Sequence, residues 1–238
     1  MAKTNRPESK EPVAPHPSPN ADFDAEMALE RAKDFWTKYS KPITYIGTVV
    51  IIAAAGYYAY KSFVLQPKQQ KANEVIAVPQ DYFAMDSLDK ALNGDGQNPG
   101  FLKVIDRYSG TDAANLAHYY AGAIYLRKQD FANAIKELKD FSTSAPQVQS
   151  SAYRMLGDAY MDSGKKPEGA EYYKKAGTLN EKDPYTSSEN LFRAALAYET
   201  LGQNDQAIEL YKEVKEKYPK TEKGMMVDKY LARLGYTQ

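Results

Sequence analysis

Three stretches of the sequence repeat one spacing and decide the fold. They read GAIYLRKQDFANAIKEL (122–138), GDAYMDSGKKPEGAEYY (157–173) and ALAYETLGQNDQAIELY (195–211). In each stretch a small residue is followed three positions later by tyrosine, twelve positions later by a second small residue, and sixteen positions later by leucine or tyrosine. Small residues at these positions let two antiparallel helices approach closely, and the larger side chains fill the groove between them. The spacing therefore predicts three successive helical hairpins.

This spacing resembles the tetratricopeptide repeat, a helix–turn–helix unit of about 34 residues. The resemblance implies an all-α solenoid that binds other proteins and carries out no chemistry itself. Pro146 and Pro219 stand at the same offset in two units and are expected to end the second helix, because proline cannot donate the next backbone hydrogen bond. The tyrosines of successive units lie 35 and 38 residues apart, and the longer step predicts an enlarged loop around Asn180–Tyr185.

The repeat domain is expected to occupy residues 67–238. Phe101 and Tyr108 repeat the offsets of two aromatic residues in the last unit, which predicts a degenerate leading repeat. Thr221 is expected to cap a final helix that ends at Gly235 and covers the last apolar face of the array. The predicted boundaries are 72–110 for the degenerate repeat (helices over 72–92 and 99–109), 115–148, 150–184 and 188–221 for the three clear repeats, and 221–235 for the capping helix.

An uncharged stretch of 18 residues, ITYIGTVVIIAAAGYYAY, runs from Ile43 to Tyr60, and apolar residues continue through Leu65. As a helix, 23 residues would reach about 34 Å, which is enough to cross a hydrocarbon core of about 30 Å. Pro42 is expected in the first turn, where its missing N–H costs nothing. Three tyrosines near the end match an interfacial aromatic belt. The pattern predicts a single transmembrane helix over residues 42–66.

A cleavable signal peptide and a buried soluble helix are the alternatives for this stretch. Ala53-Ala54-Ala55 would suit a signal peptidase, but 42 residues precede the apolar run, far more than the usual basic region of a signal peptide. A buried helix is not needed by the repeats, which have their own caps. We therefore expect a retained single-pass anchor.

The residues before the span fall into two parts. Residues 1–20 hold five prolines and few large apolar groups, which is typical of disorder. Residues 21–41 place Phe35, Trp36 and Tyr39 on one helical face, which predicts an amphipathic helix. This helix could lie on the inner leaflet or against a membrane partner. The alternative is a helical lead-in that only anchors the span. Near the apolar run, four basic residues (Arg31, Lys33, Lys38 and Lys41) precede it and three (Lys61, Lys68 and Lys71) follow it, which favours a cytoplasmic N-terminus and exported repeats.

Composition and motifs point away from catalysis and from nucleic acid. The formal net charge is zero, so the basic excess that phosphate binding requires is missing. The chain has no cysteine, and no second histidine can join His118 as a ligand or base, because the other one, His16, lies in the tail predicted to be disordered. His118 is expected to pack within a turn of its helix. The run 93–98 is read as a turn, because Val104 stands where a calcium loop requires glutamate. We expect no enzyme activity, metal or cofactor.

The binding surface is expected on the first helix of each repeat, at positions directed away from the second helix. These positions are aromatic, aliphatic and charged with both signs, which suits an extended segment or a partner helix. Packing against the leading and capping helices is the alternative for any one of them. The positions are Leu116, Tyr119, Ala123, Arg154, Asp158, Met161, Phe192, Leu196 and Glu199.

The layout of a short tail, one anchor and an exported repeat array resembles the YfgM-like family, the ancillary single-pass subunit of the bacterial SecYEG translocon. The phrases YFAMDSL (82–88) and ALNGDG (91–96) are similar to those of envelope repeat proteins from the Bacteroidota. The resemblance implies a bacterial inner-membrane protein with periplasmic repeats. Its partners would be translocon subunits, a membrane-anchored periplasmic chaperone and exported clients. Ala55 and Ala59 would form a small-xxx-small face for contact with translocon helices.

Two further functions are compatible with this layout. One is a membrane-anchored scaffold for cell-envelope or division machinery, which would bind its partner through the repeats alone. The other is an organelle import receptor with cytosolic repeats, which requires the opposite topology. An enzyme is the class with the least support in the sequence.

Overall fold

The computed structural model describes the backbone of residues 19–236 and the side chains of residues 26–236. The proline-rich tail predicted over 1–20 lies almost entirely outside the described residues, as does His16. Within the described residues the regular elements are all helical, apart from one isolated bridge between Gly94 and Pro99. The predicted all-α fold is confirmed. The chain divides into two compact units, one ending at Lys61 and the other beginning at Ser62.

The first unit is built on one long helix, α1 (Pro19–Tyr60), which contains both the amphipathic segment and most of the apolar stretch. None of the side chains in its apolar window is buried. The prediction that Pro42 lies in the first turn is wrong, because the helix begins far earlier and Pro42 is in its interior. The segments on both sides favour helix, and together they outweigh the one backbone hydrogen bond that Pro42 cannot make.

A π-helical turn, Lys61–Leu65, leads into the second unit. In the described residues this unit contains ten α-helices, most of them paired as antiparallel hairpins. Three clear hairpins are formed by α5 with α6, α7 with α8, and α9 with α10, and α11 follows as a single helix. The helices are α2 (Gln66–Ala84), α3 (Leu88–Asn93), α4 (Phe101–Arg107), α5 (Asp112–Arg127), α6 (Phe131–Asp140), α7 (Pro146–Asp162), α8 (Lys166–Leu179), α9 (Pro184–Thr200), α10 (Asn204–Lys217) and α11 (Glu222–Arg233).

Close packing inside the hairpins explains the repeated small residues. A Cβ atom on Gly122 would lie 2.5 Å from Cγ of Leu138, and one on Gly157 would lie 2.5 Å from Cδ1 of Tyr173. In the third hairpin Ala195 and Tyr211 are both fully buried. The two helices of each hairpin therefore approach more closely than larger residues would allow, as the spacing predicts.

Each first helix ends with one residue in the left-handed region of backbone conformation. The N–H of Asp130 bonds the carbonyl of Tyr125 at 2.9 Å, and the N–H of Gln129 bonds that of Leu126 at 3.0 Å. This pair of bonds is a Schellman motif, and it turns the chain toward the second helix. The left-handed residues at the five helix ends are Asp86, Gln129, Gly164, Gly202 and Gly235.

The helix predicted over 72–92 is wrong in the structure, which divides it into α2 and α3. Asp86 has φ of 58°, and the Ser87 N–H bonds the Tyr82 carbonyl at 2.8 Å, so α2 ends in the same Schellman motif as the other first helices. The loop after α3 is the predicted turn. In it the Asp95 carboxylate accepts hydrogen bonds from the backbone N–H groups of Gln97 and Asn98.

The connections between hairpins differ from two predictions. The enlarged loop expected around Asn180–Tyr185 is wrong, because only four residues separate α8 from α9. Asp183 caps α9 by accepting the Thr186 N–H at 3.1 Å, and Pro184 is the first helical residue. Pro146 likewise begins α7 and does not end α6, which stops at Asp140. Proline suits the first position of a helix, where no N–H is needed and its fixed φ is helical.

The core of the repeat unit consists of three apolar clusters along the array. The first includes Ala72 and Ile76 of α2, and the last includes Val227 and Leu231 of α11. The Thr221 hydroxyl caps α11 by accepting the Gly224 N–H at 3.1 Å. Helices α2 and α11 therefore supply apolar surface at the two ends of the array.

Candidate protein-binding surface

The side chains predicted to bind a partner lie on three neighbouring first helices. Helix α5 lies against α7, and α9 lies against α11. We call the surface formed by α5, α7, α9 and α11 the first-helix face. Most of the predicted residues on it are half-buried. They are Leu116, Tyr119 and Ala123 on α5, Arg154, Asp158 and Met161 on α7, and Phe192, Leu196 and Glu199 on α9.

The α5 end of the first-helix face is apolar and aromatic. The Tyr119 ring lies 5.1 Å from that of Phe141, centroid to centroid, and its hydroxyl is 3.0 Å from Oγ of Ser151. Leu116 and Ala123 are partly buried beside the apolar clusters. Each of these three residues keeps part of its surface open. This end therefore offers apolar contact area with one hydroxyl group, which suits a partner with aliphatic or aromatic side chains.

The remainder of the face is crossed by a chain of alternating charges, which we call the ion-pair chain. Arg154 Nη1 lies 3.0 Å from Asp158 Oδ2 within α7, and Arg193 Nη1 of α9 lies 3.8 Å from the other oxygen of Asp158. Arg193 Nε then lies 2.8 Å from Glu189, whose second oxygen is 3.3 Å from Lys223 Nζ of α11. Five side chains thus connect three successive first helices.

A buried phenol supports the centre of the ion-pair chain. The Tyr173 hydroxyl of α8 donates to Asp158 Oδ1 at 2.7 Å. Burial, followed by the hydrogen bond and the negative charge of Asp158, raises the pKa of Tyr173 well above its usual range. Asp158 therefore accepts hydrogen bonds from both a cation and a neutral donor. Because the charges compensate one another, the α7–α11 part of the face is polar without a strong net charge.

Three of the predicted residues make mainly internal contacts. Phe192 is 4% exposed and packs against the rings of Tyr211 and Tyr230, at centroid distances of 5.5 and 4.7 Å. It belongs to the core, because α11 covers it. Glu199 accepts hydrogen bonds from Arg233 at 2.7 Å and from the Tyr211 hydroxyl at 3.1 Å, which joins α9 to α10 and α11.

Met161 is the third of these residues. Its Cγ would lie 2.7 Å from a Cβ atom on Gly169, so it packs on the start of α8. For Phe192, whose contacts are given above, the expectation of exposure in a groove is wrong in this structure. The alternative, packing against the capping helix α11, describes it.

Sequence reasoning did not identify three members of the ion-pair chain: Glu189, Arg193 and Lys223. One signal was available, because Arg154 with Asp158 and Glu189 with Arg193 are both opposite charges four residues apart on a helix. The contacts between helices carry no such signal, since they depend on how adjacent hairpins are rotated.

His118 has a different role from the one predicted. Its Nδ1 lies 2.7 Å from Oε2 of Glu137 on α6, and the Glu137 side chain is 5% exposed. The hydrogen bond from His118 holds the pKa of the Glu137 carboxyl below its usual range, although burial opposes this. The pair joins the two helices of the first clear hairpin. A polar cleft of about 400 Å³ lies beside it, lined by Thr111, Asn115 and Ser142 among others.

Among the described residues no group of three or more histidine, aspartate or glutamate side chains is placed to hold a metal ion. The geometry described so far defines a class of protein, an array of packed helical hairpins whose first helices share one face, which the Asp158–Arg193 ion pair joins between α7 and α9.

The comparison with protein families gives the particular family. A family model for a tetratricopeptide repeat-like domain matches residues 33–156, more than half of the chain, and the chain belongs to this family. Two tetratricopeptide repeat models match residues 150–183 and 189–221. No curated protein matches the chain. Tetratricopeptide repeats are protein-interaction modules, and their families are typically not enzymes. The first-helix face is accordingly the candidate site for a protein partner.

Proposed function

We propose that this chain is a non-enzymatic adaptor anchored by one transmembrane helix, and that it serves as an accessory subunit of the protein-export translocon. In this role it engages a membrane-anchored periplasmic chaperone or clients as they emerge. One observation carries the proposal. An exposed apolar helix long enough to cross a bilayer directly precedes a repeat unit of a protein-binding family.

The anchor is argued from the exposure of α1. Val50, Ile51 and Ile52 are consecutive and each at least 60% exposed, and successive helical residues are rotated by about 100°, so exposed apolar side chains point to different sides of the helix rather than forming one stripe. Soluble proteins rarely expose a contiguous apolar patch larger than a few hundred Å². A hydrocarbon environment removes this cost, because lipid tails replace water around the apolar side chains, and a helix can enter it since it bonds its backbone groups internally. The full chain should therefore stay in the membrane pellet after alkaline carbonate extraction. Recovery of the unmodified chain in the supernatant would contradict the anchor.

The orientation follows from the basic residues on either side of the span. The four closest before the apolar run are Arg31, Lys33, Lys38 and Lys41, and the three closest after it are Lys61, Lys68 and Lys71, which favours a cytoplasmic N-terminus and a periplasmic repeat unit in a bacterial inner membrane. A reporter that folds only in the periplasm, fused after Gln238, should be active. The same reporter fused before Met1 should be silent. The reverse pattern would support the import-receptor topology instead.

Contact with the translocon is assigned to the small residues of the span. Ala55 and Ala59 lie on the same side of α1, one turn apart, and their small side chains allow another helix to approach. Replacement of both by leucine should reduce copurification of translocon subunits from gently solubilised membranes, and Val50→Leu with Val64→Leu serves as the control pair. If the unmodified chain brings down no translocon or chaperone subunit, the translocon assignment fails.

Clients or the chaperone are assigned to the first-helix face. The α5 end supplies apolar contacts, and the ion-pair chain supplies paired donors and acceptors for a polar segment. A photoreactive amino acid at Leu116 or Arg154 should crosslink to a protein partner in membranes. The same group at Lys174, an exposed position on α8, should not. Equal crosslinking from all three positions would remove the assignment.

The scaffold function remains the second candidate, favoured by one observation. The repeat unit beginning at Ser62 is compact and has its own apolar clusters, so it is equipped to bind a partner without the span. The two functions differ in where affinity resides. A scaffold fragment beginning at Ser62 would retain full affinity for its partner, whereas a translocon subunit would lose part of its affinity with the anchor.

A further inference from the structure

The exposed apolar side chains of the repeat unit are concentrated on one edge. We call this the inter-repeat edge: the connections 108–111, 141–145, 180–183 and 218–221 with the helix ends beside them. The opposite edge carries the turns inside hairpins, such as 128–130, 163–165 and 201–203. Beyond the entry segment, the exposed large apolar residues in 62–236 are Val148, Leu179, Tyr185, Met225 and Met226 on the inter-repeat edge, and Met85 on the opposite edge.

The chain enters the repeat unit at this same edge. The Lys68 ammonium group, in the first turn of α2, donates to the Ser109 carbonyl at 2.8 Å. Gln69 accepts the Asp112 N–H at 2.8 Å. The start of α2 is therefore fixed beside the first inter-repeat connection. The exposed Phe63 and Val64, near the end of the apolar stretch, lie just before it.

Hydrogen bonds continue along the edge from one connection to the next. Asn115 makes two bonds with the Ser142 backbone, at 2.8 and 3.1 Å. Further on, the Ser150 hydroxyl donates to the Ala176 carbonyl at 2.7 Å. Lys217 then lies 3.1 Å from Glu181. The connections are thus joined along one side of the array, and the exposed apolar residues share that side with the chain entry.

The chemistry of this edge matches a lipid interface. Tyr185 and Met225 are 72% and 69% exposed, at the starts of α9 and α11. Tyrosine and lysine are typical residues at the headgroup level, because each side chain has an apolar part that can enter the acyl region and a polar end that stays among the headgroups. A cleft of about 440 Å³ between Pro184, Tyr185, Tyr218 and Pro219 opens on the edge, and Lys217 and Lys220 line it as well.

Two of the acidic residues on the edge are engaged within the fold, whereas Asp112, Asp140 and Glu222 are exposed at the neighbouring helix ends. Glu181 pairs with Lys217, and Asp183 caps α9 through Thr186. They therefore add little repulsion toward an anionic headgroup, and Lys182 and Lys220 extend from the same connections as exposed cations.

We infer that the inter-repeat edge is a second membrane contact, at which Tyr185, Met225 and their neighbours rest among the lipid headgroups. The inference depends on the anchoring argued under Proposed function, since the anchor brings this edge to the bilayer.

Single tryptophans in the full-length chain test this contact. The natural Trp36 is first replaced by Phe, and tryptophan is then introduced at Tyr185, at Met225 or at Met85. Met85 is the matched control, because it is 71% exposed and lies on the opposite edge. Each variant is reconstituted into vesicles containing phosphatidylglycerol, with or without lipids brominated near the headgroup end of the acyl chains. Flotation of the Trp36→Phe chain with the vesicles is measured in parallel.

The contact predicts that tryptophan emission from Tyr185→Trp and Met225→Trp lies at shorter wavelength than that from Met85→Trp. Brominated lipid should lower the emission intensity of the first two variants and leave that of Met85→Trp unchanged. If the chain floats with the vesicles but neither edge tryptophan is quenched, the edge contact is wrong and the anchor stands. Equal quenching at all three positions would also overturn it, because the contact would not be specific to one edge. A chain that does not float would overturn the anchor, and the edge contact with it.

Discussion

At the scale of single residues, the left-handed position that ends each first helix is the clearest case of local chemistry deciding structure. Three of the five residues in this position are glycine, which adopts positive φ without a steric cost. Asp86 and Gln129, with φ of 58° and 61°, are the exceptions. A side chain in this region brings Cβ close to the following carbonyl oxygen and costs roughly 1–2 kcal/mol. The first turns of the array are therefore strained where the later ones are not.

This difference predicts opposite effects for one pair of substitutions. Gln129→Gly should stabilise the repeat unit by about 0.5–1 kcal/mol, because relief of the strain exceeds the added freedom of the unfolded chain. Gly202→Ala, at the equivalent turn, should destabilise it by a similar amount. No atom lies within 4 Å of a Cβ placed on Gly202, so backbone conformation alone is tested. Thermal unfolding of the detergent-solubilised full chain, followed by circular dichroism, measures both. Effects of the same sign would contradict this account.

The buried pair of Glu137 and His118 predicts a pH dependence of stability. The pKa of Glu137 is lowered in the folded state, so the carboxylate stabilises the fold above the unfolded pKa, and this contribution is lost as pH falls through the lowered pKa. Glu137→Gln should therefore reduce stability on the order of 1–2 kcal/mol above about pH 5, and the difference from the wild type should narrow at lower pH. Unfolding midpoints from pH 7 down to pH 3 measure this. Glu216→Gln, at an exposed position, is the control, and a gap that widens with acid would refute the role of Glu137.

At the scale of elements, helix starts were harder to predict than helix packing. The contact between Gly122 and Leu138 is predicted by their spacing alone, because the geometry of a helical hairpin fixes which positions meet. Pro146 and the Asp183-Pro184 pair were ambiguous, since proline both ends one helix and begins the next. The break at Asp86 was missed because aspartate gives a weaker signal for the left-handed region than glycine does. Local signals of this kind are resolved only when the packing of the neighbouring helices selects between them.

Helix α11 is predicted to act as the cap of the array through one apolar stripe. Leu231 is 2% exposed, whereas Met225 on the same helix is 69% exposed. Leu231→Ala should cost about 2–5 kcal/mol, because it leaves a cavity against the last hairpin. Met225→Ala should change the free energy of unfolding by less than about 0.5 kcal/mol. Urea unfolding of the full chain compares the two variants. Similar effects of the two would mean that α11 does not seal the core.

At the scale of the whole molecule, the candidate site was predicted only in part. The repeat spacing placed Arg154 and Asp158 on the first-helix face, where they are found. It also placed Phe192 there, while its neighbour Arg193 is the residue that joins the ion-pair chain. A one-residue step rotates a side chain by about 100° around a helix. Which of two neighbours faces the surface therefore depends on how one hairpin is set against the next, and a single repeat does not contain that information.

The last prediction concerns the independence of the repeat unit. Its three apolar clusters are drawn entirely from residues of that unit, beginning with Ala72 and Ile76 of α2. A fragment that begins at Ser62 should therefore unfold at the same temperature as the repeats of the full chain in the same detergent. A fragment that begins at Leu88 lacks α2, exposes the first cluster, and should unfold at a clearly lower temperature, because terminal helices are required to cover repeat arrays. Thermal unfolding of the three chains is followed by circular dichroism. If the fragment from Ser62 is destabilised as much as the one from Leu88, the fold depends on the span. Equal stability of all three chains would show instead that α2 is not part of the cooperative unit.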